Sequence, residues 1–226
     1  MHWTDADHSF CESRILGMPE YLNSVSSLFI VGIGVYGLLN IYNDCFADII
    51  YTLLTVVGIG STGYHWTGNI GWGLLDETPM ILLIFCIIGY ATKLIRDKEC
   101  TNARIYEHKF ALFINLSCMT IFIICNTMSI FRQWFPYIFA CVGAYLYYIL
   151  TRAFVLFPKV AKKGYHTIYI ILTSVALWSA TEITCNYIQL DILLIGHPLW
   201  HLFIGYGCYN ITQILQEMDD NYLLRI

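Results

Sequence analysis

Residues 74–95 read LLDETPMILLIFCIIGYATKLI, and from Met80 to Ala91 this run holds no charged residue. A bilayer core calls for about 20 largely apolar residues per crossing. The apolar positions are continuous rather than alternating, which favours a membrane helix over a barrel strand. Six further runs share this character, at 25–42, 46–64, 110–125, 135–150, 165–185 and 192–215. The expected fold is therefore all-α: a polytopic membrane protein, built as a seven-transmembrane-helix bundle. Short connections leave no room for a second domain, so residues 1–226 are expected to form one unit, with 1–24 as an outer N-terminal segment.

The composition agrees. Apolar residues make up 58% of the chain and charged residues 12%, against about 45–50% and about 25% in soluble domains. A chain of this size cannot hide that much apolar surface in its own core. Disorder, a basic nucleic-acid-binding face and a soluble enzyme are all disfavoured. The net charge of −4 points to no partner, and nothing calls for an obligate protein partner; membrane lipids are the expected surroundings.

The first 24 residues carry no apolar leader core, so the first span is expected to direct its own insertion. Loop charge sets direction. Lys93, Arg96, Lys98, Arg104 and Lys109 lie between spans three and four, and Arg152, Lys159, Lys162 and Lys163 between five and six. With Arg225, one side gathers ten basic residues, and only Arg14 and Arg132 fall on the other. The N-terminus is expected to be lumenal or extracellular and the C-terminus cytosolic. In a eukaryote the endoplasmic reticulum or Golgi is the expected membrane.

Five of the nine cysteines, Cys86, Cys118, Cys125, Cys141 and Cys208, fall within spans and suit apolar packing. Cys45 and Cys100 fall on the reducing side. Cys11 and Cys185 remain on the oxidising side, where a bridge and two separate thiols are both open.

Ionisable groups inside spans are costly and draw attention to function. Ser61 and His65 are spaced i, i+4 at the end of span two, on one helical face. Asp76 and Glu77 open span three, with Pro79 suited to a first turn. His197 and His201 open span seven, again at i, i+4, with His197 expected as the N-cap ahead of Pro198. The topology puts Ser61, Asp76 and the three histidines at one depth near the outer face. One histidine pair alone is more often packing than a metal site. Asp76 alone would serve as a helix cap, and Glu77 reads as structural. His2, His8, His108 and His166 read as solvated.

Three imidazoles with one open position form the ligand set of a catalytic zinc ion. Zinc lowers the pKa of a bound water to about 7. A carboxylate such as Asp76 can shuttle the proton, and a hydroxyl such as Ser61 can donate to a developing oxyanion.

The spaced set Gly60-Ser61-x-x-x-His65, Asp76-Glu77-x-Pro79-Met80 and His197-x-x-x-His201 resembles the alkaline ceramidase family. The opening Cys11-Glu12, followed by Glu20-x-x-Asn23-Ser24-x-Ser26, is similar as well. That family belongs to a superfamily of seven-helix membrane hydrolases that includes the adiponectin-type receptors. The resemblance implies zinc (Zn2+) held by His65, His197 and His201, with Asp76 as acid/base and Ser61 as oxyanion stabiliser. It implies hydrolysis of the amide bond of ceramide to a sphingoid base and a fatty acid, and a disulfide between Cys11 and Cys185. The competing expectations are hydrolysis of another N-acyl lipid, or a lipid-sensing receptor of the adiponectin type. Those receptors place the N-terminus in the cytosol, against the loop charges here.

Animal members carry an Asp-Trp-Cys-Glu-x-Asn stretch and a later Glu that bind calcium (Ca2+). Here the run is Ser9-Phe10-Cys11-Glu12-Ser13-Arg14, followed by Glu20. Calcium takes six to eight oxygens, more than Glu12 and Glu20 supply, although Asp5 or Asp7 would add to the set in a shifted register. The expectation is that Arg14 forks onto Glu12 and Glu20 and takes over the structural task of calcium.

Overall fold

The computed structural model describes residues 10–40, 44–99, 120 and 134–223, and every regular element among them is helical. A short α1 (Cys11–Leu16) precedes α2 (Tyr21–Leu39), α3 (Cys45–Thr67) and α4 (Ile70–Glu99). Then come α5 (Phe135–Leu156), α6 (Pro158–Cys185), a 3-10 turn (Asp191–Ile195) and α7 (Gly196–Leu223).

Helices α2 to α6 are long and apolar enough to cross a membrane. The chain is a polytopic helical membrane protein. The seventh expected span, 192–215, begins later than anticipated, because Asp191–Ile195 winds as a 3-10 turn before α7 starts at Gly196. The expected fourth span, 110–125, lies outside the described residues apart from Thr120.

Helix ends follow local chemistry. The Asp44 carboxylate accepts from the amides of Phe46 and Ala47 and so starts α3. Gly68, at φ 68°, ends it by donating its N–H to the Tyr64 carbonyl. Met18-Pro19 is a cis peptide in the turn between α1 and α2.

Packing runs α2 on α3, α3 on α4, α4 on α5 and α6 on α7, and α2 against α7 closes the bundle. Its core includes Tyr51, Tyr90, Ile81, Ile88, Phe154, Ile211, Ile214 and Leu215, all nearly inaccessible. In lipid, apolar side chains gain little by meeting one another, so close backbone approach matters more. Gly60 provides it: a Cβ there would stand 2.4 Å from the Leu75 carbonyl carbon and oxygen and 2.6 Å from the Asp76 nitrogen.

The Leu75 carbonyl is also the one that Pro79, four residues on, cannot pair with. Pro79 was expected in a first turn. It lies instead inside α4, which starts at Ile70, so Asp76 sits in the second turn rather than at the helix entrance. A proline is tolerated there because neighbouring helices shelter the freed carbonyl.

At the end of the bundle away from α1, Tyr90 Oη donates to Asp44 Oδ2 at 2.6 Å, and Lys93 Nζ donates to Asp219 Oδ2 at 2.8 Å. These bonds tie the start of α3, the last third of α4 and the end of α7 together. They leave the α1 end to a different set of polar groups.

Candidate metal centre

The last turns of α3 carry Ser61 and His65, and the first two turns of α7 carry His197 and His201. The three histidines come together. One ligand atom from each lies within 4.8 Å of the others, and all three side chains are buried. Ring centroids are 4.7 Å apart for His65–His197 and His197–His201, and 5.2 Å for His65–His201. His197 was expected as the N-cap; it lies one residue inside α7, which begins at Gly196, and His201 follows a turn deeper.

Each imidazole has an oxygen facing its Nδ1. His65 Nδ1 is 2.6 Å from Glu20 Oε2, and His201 Nδ1 is 2.8 Å from Ser26 Oγ. Because the Ser26 hydroxyl donates to the Asn23 carbonyl at 3.0 Å, it accepts from His201. His197 Nδ1 stands 3.4 Å from Glu182 Oε1, at ion-pair range. The hydrogen bonds from Glu20 and Ser26 leave Nε2 of His65 and His201 as the atoms for a metal, while Glu182 stands near His197 Nδ1 without a hydrogen bond. Three nitrogen donors held this way fit a zinc ion with an open coordination position.

Glu20 belongs to the head of α2, and its backbone N–H also donates to the His65 carbonyl at 3.0 Å. Burial works to raise its carboxyl, but the hydrogen bond and charge of His65, helped by Ser13 and Asn23, outweigh it and hold the group down at about 2. Ser61 is buried and shares a 3.0 Å hydrogen bond with Ser27, whose Oγ lies 3.4 Å from His201 Nδ1. Asp76 is half-buried, and its backbone crosses Gly60, the residue before Ser61. Glu77 is half-buried beside it.

Phe10 roofs the cluster. Its ring centroid is 4.6 Å from that of His197 and 5.0 Å from that of His65. Trp178 also lies against His197, with ring centroids 5.9 Å apart, and is stacked on Trp200.

The N-terminal expectations need correcting. Arg14 does not fork onto Glu12 and Glu20. It donates to Glu182 Oε2 at 2.5 Å and to Asn186 Oδ1, both at the far end of α6. Glu12 has other work: its two oxygens accept the amides of Leu22 at 2.7 Å and Asn23 at 2.8 Å. A buried carboxylate thereby caps α2 from outside that helix, where the helix dipole favours negative charge. Glu20 is taken by His65, by Asn23 Nδ2 at 3.1 Å and by the Phe10 amide at 3.3 Å. Both acids are thus satisfied by donors of the chain itself. Cys11 and Cys185 are joined as a disulfide, with Cα atoms 5.7 Å apart.

Two polar partners were missed. Glu182 is the sole carboxylate in the run 165–185, and a lone acid in a span was signal enough. Ser26 stood only within the stretch that resembles the family's opening segment, and nothing in its local spacing marked it as a histidine partner, because a serine in a membrane helix commonly bonds its own preceding turn. His166, expected in a loop, lies near the start of α6 with its side chain exposed; His2, His8 and His108 lie outside the described residues.

A family model described as Ceramidase matches residues 4–223. The chain is 26% identical over 226 residues to alkaline ceramidase 3 of Mus musculus, covering 91% of this chain and 81% of that protein. It is 24% identical over 245 residues to the putative alkaline ceramidase dcd3B of Dictyostelium discoideum, covering 92% and 85%.

Proposed function

Because this chain belongs to the ceramidase family, we propose that it is an intramembrane zinc amidohydrolase that cleaves the amide bond of ceramide to a sphingoid base and a free fatty acid. The observation that carries the metal is the buried cluster of His65, His197 and His201 within 4.8 Å, each with an oxygen at Nδ1. Their Nε2 atoms would hold the ion, and zinc supplies Lewis acidity and a water that is nucleophilic near neutral pH.

The rest falls to the chain. Asp76 takes the proton of the attacking water and returns it to the leaving amine nitrogen. Ser61 donates to the oxygen that becomes negative as the carbonyl carbon turns tetrahedral. Glu20 and Ser26 hold His65 and His201 in their tautomers. The Phe10 ring over the histidines keeps bulk water from the reacting carbonyl. The apolar span residues receive the two chains of the lipid.

Residues 1–226 act as one domain in this reading. The N-terminus and the metal centre face the lumen or exterior, and the C-terminus faces the cytosol, as the ten basic residues on one side support. Glu12 and Glu20 need no calcium, since both are filled by protein donors. The relatives matched are ceramidases, so nothing favours the receptor alternative.

Metal analysis of purified protein, with a panel of N-acyl lipids compared between wild type and His197→Ala, tests the proposal. One zinc per chain and ceramide turnover, both lost in His197→Ala, are expected. Turnover without zinc, or turnover confined to N-acyl lipids that lack a sphingoid base, would overturn it.

A further inference from the structure

The third histidine is served differently from the other two. Glu20 and Ser26 reach His65 and His201 from the first turns of α2, whereas the oxygen facing His197 comes from Glu182, near the end of α6. Glu182 is itself held from outside its helix. Its Oε2 accepts the Cys11 amide at 2.9 Å and Arg14 Nη2 at 2.5 Å, while its Oε1 lies 3.4 Å from His197 Nδ1. The two carboxylate oxygens therefore divide between the N-terminal segment and the histidine cluster.

We propose that Glu182 is a positioning residue for His197, through which docking of the N-terminal segment is transmitted to the metal centre. This rests on the zinc reading of the three histidines. The rigid guanidinium of Arg14 spans Glu182 Oε2 with Nη2 and Asn186 Oδ1 with Nη1, a span that the single nitrogen of an ammonium does not match. Holding Oε2 therefore fixes the plane of the group and aims Oε1 at His197.

Side-chain exposures of 15% for Glu182 and 8% for His197 leave little water to compete. Cys11, whose amide shares Oε2, is bonded to Cys185, about one turn beyond Glu182. The disulfide, the backbone hydrogen bond and the ion pair all converge on one turn of α6. Loss of Arg14 removes one of the donors on Oε2 and loosens the carboxylate, so Oε1 loses its fixed place 3.4 Å from His197 Nδ1. Outer partners of metal-binding histidines typically change affinity by about 10- to 100-fold.

A merely structural tether would change stability and leave the metal's surroundings alone, so the test reads the metal. Full-length protein in detergent is loaded with zinc against a competing chelator, and with cobalt(II) for its visible ligand-field bands. The proteins compared are wild type, Glu182→Gln, Arg14→Ala, Arg14→Lys, the double variant Arg14→Ala/Glu182→Gln, and Lys163→Ala as a remote control. The expected result is zinc affinity about 10- to 100-fold weaker in Glu182→Gln, with displaced cobalt bands. Arg14→Ala shifts both in the same direction, Arg14→Lys recovers part, and the double variant is no worse than Glu182→Gln, since Arg14 acts only through Glu182.

Wild-type affinity and bands in Glu182→Gln overturn the proposal, as does an Arg14→Ala effect that adds in full to that of Glu182→Gln. Should Glu182→Gln fail to fold, the Arg14 variants decide alone: unchanged cobalt bands in Arg14→Ala overturn it. Failure of the zinc reading looks different, because then wild type binds no zinc or His201→Ala keeps it.

Discussion

Glu20 is bonded to His65 twice, its amide to the His65 carbonyl at 3.0 Å and its carboxylate to His65 Nδ1 at 2.6 Å. One residue at the head of α2 thus sets both the backbone position and the ring orientation of a residue at the end of α3. The two helices are locked where the histidine cluster begins.

Glu20→Gln keeps the backbone bond and removes the charge that favours an Nδ1–H tautomer. Zinc affinity is expected to fall by about 10- to 100-fold, with the helical circular-dichroism signal unchanged. Chelator competition measures this. Unaltered affinity would show that Glu20 merely packs.

Asp76→Ala removes the proposed proton shuttle, and kcat is expected to fall by about 100- to 10,000-fold with zinc content retained. Ser61→Ala should cost about 100- to 1,000-fold. Detergent-solubilised turnover of ceramide, alongside metal content, tells these apart from loss of the site. Substantial turnover in Asp76→Ala would remove that residue from the mechanism.

Gly60→Leu forces a side chain into the contact with the Leu75 carbonyl, where even a Cβ would stand 2.4 Å away. Overpacking of this kind costs about 1–3 kcal/mol. The backbone of Asp76 would move away from Ser61, so turnover should drop together with the unfolding temperature. Gly32→Leu is the control, since open space surrounds a Cβ at that position. Equal behaviour of the two variants would speak against the close approach.

Chelators should act selectively. A calcium-selective chelator is expected to leave turnover unchanged, because Glu12 and Glu20 are filled by amides, His65 and Asn23. A zinc-selective chelator is expected to abolish turnover, with restoration by added zinc. Activity regained with calcium alone would contradict the structural account of Glu12 and Glu20.

Much of the centre was legible because helical spacing does the work. His197 and His201 share a face at i, i+4, and so do Ser61 and His65, whatever the rest of the fold does. The apolar runs likewise located the long helices, since burial in lipid requires continuous apolar sequence. The start of α4 was less legible. Pro79 signals a first turn in local chemistry, yet the helix extends nine residues ahead of it, where the Leu75 backbone, whose carbonyl Pro79 cannot pair with, packs against Gly60 of α3. Arg14 was assigned to near acids, yet its partner Glu182 lies 168 residues away. Proximity in sequence says nothing about which carboxylate a folded chain delivers, and Glu182 arrives only when α6 has docked.

The bridge between Cys11 and Cys185 has a consequence in time. Its partners are 174 residues apart, and translation at about 5–20 residues per second separates their emergence by roughly 9–35 s. Throughout that interval the first thiol is exposed, with neither Glu182 nor the two histidines of α7 yet made. The N-terminal segment must therefore remain unlatched during most of biogenesis. Closure of the cluster by the N-terminal segment is accordingly a late step.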